Sequence, residues 1–173
     1  MTYYADQFPM TPLGGIFLIG AGLGVILGAV FPRRRMISVW FGFAVGGICI
    51  FLLGGFIAKG LPAATIFQLG FLIAAILTEF IAFATLMPRA RLQGERVQLT
   101  VTMFIVGGHF LIMVPAFGLI IACLAVCCIA NASASKWVAS YPVSRAWLID
   151  GCLKSAFGLL MLLTAPAFRV HTF

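Results

Sequence analysis

Residues 14–58 read GGIFLIGAGLGVILGAVFPRRRMISVWFGFAVGGICIFLLGGFIA, two long apolar runs separated only by a proline and three arginines. At about 1.5 Å per residue, either run can cross a hydrocarbon core of about 30 Å as an α-helix. Three further apolar runs follow, so the sequence predicts an all-α integral membrane protein, a bundle of five transmembrane helices in a single domain over residues 1–173. The predicted spans are 14–31, 36–58, 63–87, 98–130 and 146–168.

The last two spans are the least regular. From Val97 to Ala130 there is no Asp, Glu, Lys or Arg, and this run is roughly 50 Å long as a helix, more than the core requires. Pro115 removes a backbone hydrogen bond, and no polar turn divides the run. We therefore predict one long, tilted helix kinked at Pro115. The fifth span carries Asp150 and Lys154, which leaves a bundle of four spans as the alternative.

The charges predict the orientation of the chain. The sequence is 63% hydrophobic and 9% charged, with eleven basic and four acidic residues, whereas soluble domains are about 25% charged. Basic residues collect in short connectors rather than on one soluble face, so the net charge of +7 does not indicate nucleic-acid binding. With five spans and the N-terminus outside, seven arginines are cytoplasmic and three basic residues are external. The seven are Arg33, Arg34, Arg35, Arg89, Arg91, Arg96 and Arg169; the three are Lys59, Lys136 and Arg145.

Such a bias places the arginine-rich side and the C-terminus in the cytoplasm, and we expect a bacterial inner membrane. Residues 131–145 become the main external loop. Its aromatic neighbours Trp137, Tyr141 and Trp147 are expected to anchor at the membrane interface. Asn131 matches a glycosylation acceptor, which we expect to be unused so close to a span.

Small residues predict how the helices pack. The first span carries Gly20, Gly24 and Gly28 at intervals of four, and the second carries Gly42 and Gly46. Because lipid tails are as apolar as leucine, membrane helices associate through close backbone approach at such ridges. These ridges can pack within the chain, against a second copy, or against a larger membrane protein, with the lipid bilayer as the surrounding partner.

Ionisable residues inside the spans are the candidate functional groups, since charge in a bilayer is costly. Glu79 and His109 are each predicted about 12–14 Å from the cytoplasmic boundary on adjacent helices, so we expect them to meet. Gln68 lies eleven residues before Glu79, and Thr102 seven before His109, which places each pair on one helix face. These four residues are the candidate ligand-binding or proton-binding residues; a purely structural polar pair is the alternative.

Asp150 and Lys154 lie four residues apart on one helix face, the spacing at which opposite charges neutralise each other. The predicted topology puts them in the outer third of the bilayer, where Lys154 can extend to the surface. We therefore expect an outer ion pair with a structural role, or an external vestibule.

Cofactor and metal chemistry is not indicated. The five cysteines lie in apolar runs without CxxC spacing and are expected to pack as small hydrophobic residues, with a disulfide from Cys127 or Cys128 to Cys152 as the alternative. There is no HExxH motif and no nucleophile elbow. His109 and the C-terminal His171 cannot form the facing axial pairs of a multi-haem protein. The chain is therefore expected to need no cofactor or metal and to have a role other than catalysis.

Three functions fit these features. The first is a small transporter, or a membrane protein that binds a proton or small ligand at Glu79 and His109, because histidine changes charge near neutral pH. The second is an accessory, assembly or immunity-type subunit that docks another membrane protein through its glycine faces. The third is an intramembrane enzyme acting on lipid. Transport predicts a water-accessible path to Glu79, and docking predicts an exposed glycine face. An enzyme acting on lipid predicts a lipid-sized lateral opening near Glu79 or Lys154.

Overall fold

The computed structural model describes residues 4–138 and 140–168, so Arg169 and His171 lie outside it. Within these ranges the elements are helices and no strand is present. The predicted all-α class is confirmed. The elements are α1 (Tyr4–Gln7), α2 (Thr11–Val30), a 3-10 turn (Pro32–Arg34), α3 (Arg35–Ile57), α4 (Ile66–Leu92), α5 (Glu95–Ile112), α6 (Val114–Phe117), α7 (Leu119–Trp137), α8 (Val143–Leu162) and a second 3-10 turn (Pro166–Phe168).

Four helical segments of the described chain are long and apolar enough to cross a membrane. They are α2, the 3-10 turn with α3, α4 and α7. Helices α5 and α8 have 18 and 20 residues, comparable in length, but they include several charged side chains. The bundle therefore has six long helices where the sequence predicted five.

The predicted single helix over residues 98–130 is wrong, because the chain reverses direction inside it. Helices α5 and α7 pack side by side and antiparallel, with the hydroxyls of Thr100 and Ser135 3.2 Å apart. Pro115 lies in the first turn of α6, where its missing N–H costs no helical hydrogen bond. Gly118 has φ of +74°, a conformation that favours glycine. Together they turn the chain back instead of kinking one helix.

The reversal has no polar residues of its own, and α1 and α2 satisfy its backbone. The hydroxyl of Tyr4 donates to the carbonyl oxygen of Phe117 at 2.8 Å and accepts from the N–H of Ile120 at 3.1 Å. The Thr11 hydroxyl donates to the same Phe117 oxygen at 3.3 Å. Burial raises the pKa of Tyr4, so its hydroxyl keeps the proton that it donates. The N-terminal segment thus replaces the polar turn that the sequence lacks.

The long helices pack in the order α3, α2, α8, α7, α5, α4, which leaves α3 and α4 at the two edges. Apolar side chains cover the free faces of both edge helices: Phe51 is 87% exposed and Phe80 is 75% exposed. Exposed apolar faces of this kind are unusual on a protein in water and ordinary on one in lipid.

The two described ends of the chain lie at the same end of the bundle, whereas the sequence predicted termini on opposite sides. Ile16, Ile57 and Ala165 form one buried cluster there. The physical reason is the additional reversal between α5 and α7, which makes the number of long helices even. We refer to this end as the opposite end.

The other end, which we call the basic end, holds residues 31–34, 93–94, 138 and 140–142. The Arg96 guanidinium donates to the carbonyl oxygens of Ser135 (2.9 Å), Val138 (2.7 Å) and Tyr141 (3.2 Å), and so caps the C-terminus of α7. Residues 131–138 and 140–145 therefore lie beside the arginine-rich connections rather than across the bundle from them, which corrects the predicted position of the external loop.

Charge is more segregated in this fold than the sequence predicted. Eight basic residues belong to the basic end. At the opposite end, Lys59 is the one basic residue among those that the structure describes. The eight are Arg33, Arg34, Arg35, Arg89, Arg91, Arg96, Lys136 and Arg145.

Glycines bring α2 into backbone contact with both of its neighbours. A Cβ built at Gly20 would lie 2.7 Å from the Gly42 carbonyl oxygen and 2.7 Å from the Gly46 Cα, both on α3. The α8 side of α2 is equally close, since a Cβ at Gly15 would lie 2.6 Å from the N of Leu162. Gly24 packs on Gly42 in the same manner, and Gly28 packs against Arg35 and Trp147.

Candidate functional site

Glu79 on α4 and His109 on α5 contact each other across the interface of these helices and form an ion pair when His109 is protonated. The two helices are joined by Gln93 and Gly94 alone, and Gly94 adopts φ of +98° in this tight connection. His109 Nδ1 lies 3.1 Å from Glu79 Oε2 and 3.1 Å from the carbonyl oxygen of Ala75. The His109 side chain is 8% exposed and that of Glu79 is 27% exposed. The structure therefore brings together the two residues that the sequence singled out.

The neighbours of His109 define its hydrogen-bonding state. A carbonyl oxygen can only accept, and an ionised carboxylate can only accept, so Nδ1 between them carries a hydrogen. No described residue hydrogen-bonds Nε2. Nδ1–H is therefore held by the Ala75 carbonyl oxygen beside the Glu79 carboxylate, and Nε2 is the ring nitrogen left open to a further partner.

Gln68 and Thr102 do not join this pair. Gln68 forms a capping box with Thr65 at the start of α4, and its amide nitrogen donates to the carbonyl oxygen of Gln7 at 2.8 Å. The Thr102 hydroxyl donates to the Gln98 carbonyl oxygen of its own helix at 2.9 Å. Both side chains therefore have structural roles away from the Glu79–His109 contact.

Asp150 and Lys154 form an ion pair in the interior, not at an outer surface. Their side chains are 3% and 7% exposed, so Lys154 does not extend to the surface as predicted. The reason is the position of α8, which packs between α2 and α7 in the middle of the helix order. Asp150 Oδ1 and the nearby Ser155 Oγ are buried without a hydrogen-bond partner in the described residues.

Phe110 lies between the two ion pairs. Its ring centroid is 5.4 Å from that of His109. The Lys154 ammonium lies over the Phe110 ring, 5.9 Å from its centroid. An ammonium at this distance from a ring face is stabilised by the ring quadrupole. Phe110 is thus close to one member of each pair.

The model of a protein family described as a family of unknown function (DUF6609) matches residues 3–171. The chain belongs to DUF6609. No curated protein matches the chain, and no solved structure matches it.

In this DUF6609 chain, several structural side chains have roles that the sequence did not reveal. Asn131 donates to the Ala146 carbonyl oxygen at 2.8 Å and accepts from the Tyr141 hydroxyl at 2.8 Å, so it joins α7 to α8. Trp147 was predicted as an interfacial anchor but is only 5% exposed, whereas Trp137 is 70% exposed. The hydrogen bond between Tyr141 of the loop and Asn131 of α7 is a contact that leaves no periodic signal in the sequence.

The DUF6609 chain offers no alternative site for metal chemistry among its described residues, where no group of three or more His, Cys, Asp or Glu side chains could hold an ion. All five cysteines are free thiols, so the alternative disulfide to Cys152 does not form in this structure. The predicted glycine ridges of α2 and α3 pack against each other within the chain. All five glycines named in those ridges are buried in this structure.

Proposed function

We propose that this member of DUF6609 is a multi-pass membrane protein with six crossings and the basic end in the cytoplasm. The apolar helices and the exposed apolar faces of α3 and α4 support the embedding. Eight basic residues at one end against Lys59 at the other support the orientation, since cytoplasmic connections are rich in Lys and Arg.

Cysteine labelling tests this orientation. In a variant without native cysteines, single cysteines at the exposed positions Arg34, Arg91 and Ser140 should react only with a reagent that reaches the cytoplasm, and one at Lys59 only with an external reagent. Ser140 is decisive, because five spans place it opposite Arg34 and six place it on the same side. Labelling of Ser140 from outside, with Arg34 labelled from inside, contradicts the six-crossing arrangement.

Within this membrane protein, the Glu79–His109 pair binds a proton as part of a transport function. The observation that carries the proposal is the contact itself: Nδ1 lies 3.1 Å from the Glu79 carboxylate and bonds to the Ala75 carbonyl oxygen, and Nε2 has no partner among the described residues. A carboxylate at the middle of a helix is costly in lipid, and one that is 27% exposed needs an occupant or access to water.

Proton binding at Nε2 changes the attraction between two helices. With the proton bound, an imidazolium faces the Glu79 carboxylate; without it, the carboxylate faces a neutral ring whose Nδ1–H bonds to the Ala75 carbonyl oxygen. Helix α4 lies at the edge of the bundle and rests mainly on α5, with a smaller contact to α6. Protonation therefore controls how firmly the most weakly held helix is attached, which links proton binding to helix movement.

Proton flux in vesicles tests this function. Purified protein is reconstituted in vesicles that contain a pH-sensitive dye, the membrane potential is clamped with K⁺ and valinomycin, and the external medium is acidified. We expect internal acidification to be faster than in protein-free vesicles. Glu79→Gln and His109→Gln should each reduce the rate to that of protein-free vesicles, because either change removes the exchangeable ion pair.

Glu95→Gln is the matched control, since it removes one glutamate charge from an exposed position at the basic end. It should keep the wild-type rate. Thermal unfolding of each variant in detergent separates loss of flux from loss of folding. A folded Glu79→Gln protein with the wild-type rate, or a wild-type protein with no flux above protein-free vesicles, contradicts the proposal.

A further inference from the structure

The basic end contains a surface concavity between the start of α3 and the start of α5. Arg33, Arg34 and Arg35 line one side, and Glu95 and Gln98 line the other. Three arginines against one glutamate leave two positive charges in the lining. The concavity is separate from the Glu79–His109 pair, since neither of those residues lines it.

The positive charges are divided between a fixed and a free group. Arg35 pairs with Glu95, donates to the Gly28 carbonyl oxygen at 3.3 Å and lies 5.7 Å from the Trp147 ring centroid. Arg33 and Arg34 are exposed, and their guanidinium groups bond to no described residue. Two guanidinium groups are therefore available to a ligand beside one that is held in place.

The backbone adds further donors for an anion. Helix α5 begins at this concavity without a side-chain cap on its first N–H groups, whereas in α3 the N–H of Arg35 is already taken by the Pro32 carbonyl oxygen of the preceding 3-10 turn. Uncapped helix N-termini present N–H donors and the positive end of the helix dipole. Arginine adds paired donors whose planar geometry matches phosphate oxygens. The lining thus suits a phosphate group.

The rim of the concavity is apolar on the side of α3. Met36 and Ile37 are 60% and 69% exposed and belong to the same lining as the arginines. They continue into the exposed apolar face of α3, which faces lipid in the membrane arrangement proposed above. A soluble phosphate makes no favourable contact with an apolar rim. A phospholipid can place its headgroup at the arginines and its acyl chains along α3.

We propose that this concavity binds the phosphate headgroup of an anionic phospholipid in the cytoplasmic leaflet. Arg33 and Arg34 hold the phosphate, and Met36 and Ile37 contact the first part of the acyl chains. The inference rests on the membrane embedding in the proposed function, but not on proton binding at His109. A simple role of the arginines as an orientation signal predicts no dependence on a particular lipid.

Thermal unfolding of the full-length protein in detergent tests the site, with added phosphatidylglycerol, phosphatidylcholine or inorganic phosphate. We expect saturating phosphatidylglycerol to raise the midpoint by about 5–10 °C, and the other two additives to have no comparable effect. Arg33→Gln with Arg34→Gln should remove the shift. Arg89→Gln with Arg145→Gln, which removes the same charge from exposed positions of the basic end outside the concavity, should keep it.

Each other outcome overturns the proposal in a recognisable way. No shift in the wild-type protein means that there is no lipid site, and equal loss in both double variants means that only general charge attraction is present. An equal, Arg33-dependent shift with inorganic phosphate identifies a soluble anion instead. Extraction of the protein from phosphatidylcholine vesicles at alkaline pH tests the embedding separately, so its failure can be told apart from failure of the headgroup site.

Discussion

Gly42→Leu is expected to prevent formation of the folded bundle. A Cβ at this position would lie 2.6 Å from the Cα of Gly24 and 2.8 Å from its N, and neither backbone atom can move aside alone. Extra volume in a packed interface costs about 1–3 kcal/mol even where side chains can adjust, and a branched side chain between two helix backbones costs more. Size-exclusion chromatography and thermal unfolding in detergent should show aggregated or unfolded protein.

Gly47→Leu is the matched control on the same helix. A Cβ there meets no atom within 4 Å, so the side chain enters open space on the free face of α3. Leucine is also the better helix former by up to about 1 kcal/mol, and stability should be unchanged or slightly raised. Equal behaviour of the two variants would mean that the α2–α3 contact does not hold the bundle together.

The close α2–α3 contact is an example of what the sequence can predict. Glycines at intervals of four form a ridge on any helix, and their pairing requires only that neighbouring helices meet. The approach of Glu79 and His109 is predictable for a similar reason, because two helices joined by a short connection run antiparallel and equal counts from that connection give equal depths. Local periodicity and chain connectivity are enough in both cases.

The reversal after α5 was marked in the sequence only in part. Pro and Gly are strong turn signals, and Pro115 and Gly118 mark the site, but the absence of polar residues around them favoured a kink over a turn. Its carbonyl and N–H groups are satisfied by Tyr4 and Thr11, which lie more than a hundred residues earlier in the chain. A contact of that range leaves no pattern at the turn itself, and the missed reversal in turn produced the wrong placement of residues 131–145 and of the described C-terminal end.

The burial of Lys154 escaped prediction for a different reason. A helix with three charged residues is expected at the surface of a bundle rather than at its centre. Helix α8 nevertheless lies at the centre, between α2 and α7. Periodicity shows that Asp150 and Lys154 share a face but not whether that face points inward. The side chains that enclose them, Phe110 among them, come from other helices. Their depth is therefore a property of the assembled bundle.

Lys154→Leu should produce a larger loss of stability than any surface charge change. It leaves the Asp150 carboxylate in the interior without a counter-ion, with Oδ1 already lacking a partner among the described residues. Removing one member of a buried ion pair costs about 3–5 kcal/mol, because the remaining charge stays desolvated. Unfolding free energies measured in mixed detergent should show this loss, while Glu95→Gln, at a pair whose glutamate is 68% exposed, should cost no more than about 1 kcal/mol.

The double variant Asp150→Leu with Lys154→Leu separates two explanations of that loss. If the cost comes from an isolated buried charge, removing Asp150 as well should recover most of the stability, because apolar residues of similar volume replace a buried pair at little or no cost. The coupling energy from the cycle of single and double variants should then reach the kcal/mol range typical of contacting residues. Strictly additive losses contradict a coupled interior pair, since they mean that each side chain stabilises the bundle through separate contacts. If the double variant is stable but has lost the proton flux of the wild-type protein, the pair beside Phe110 serves the same transport function as Glu79 and His109.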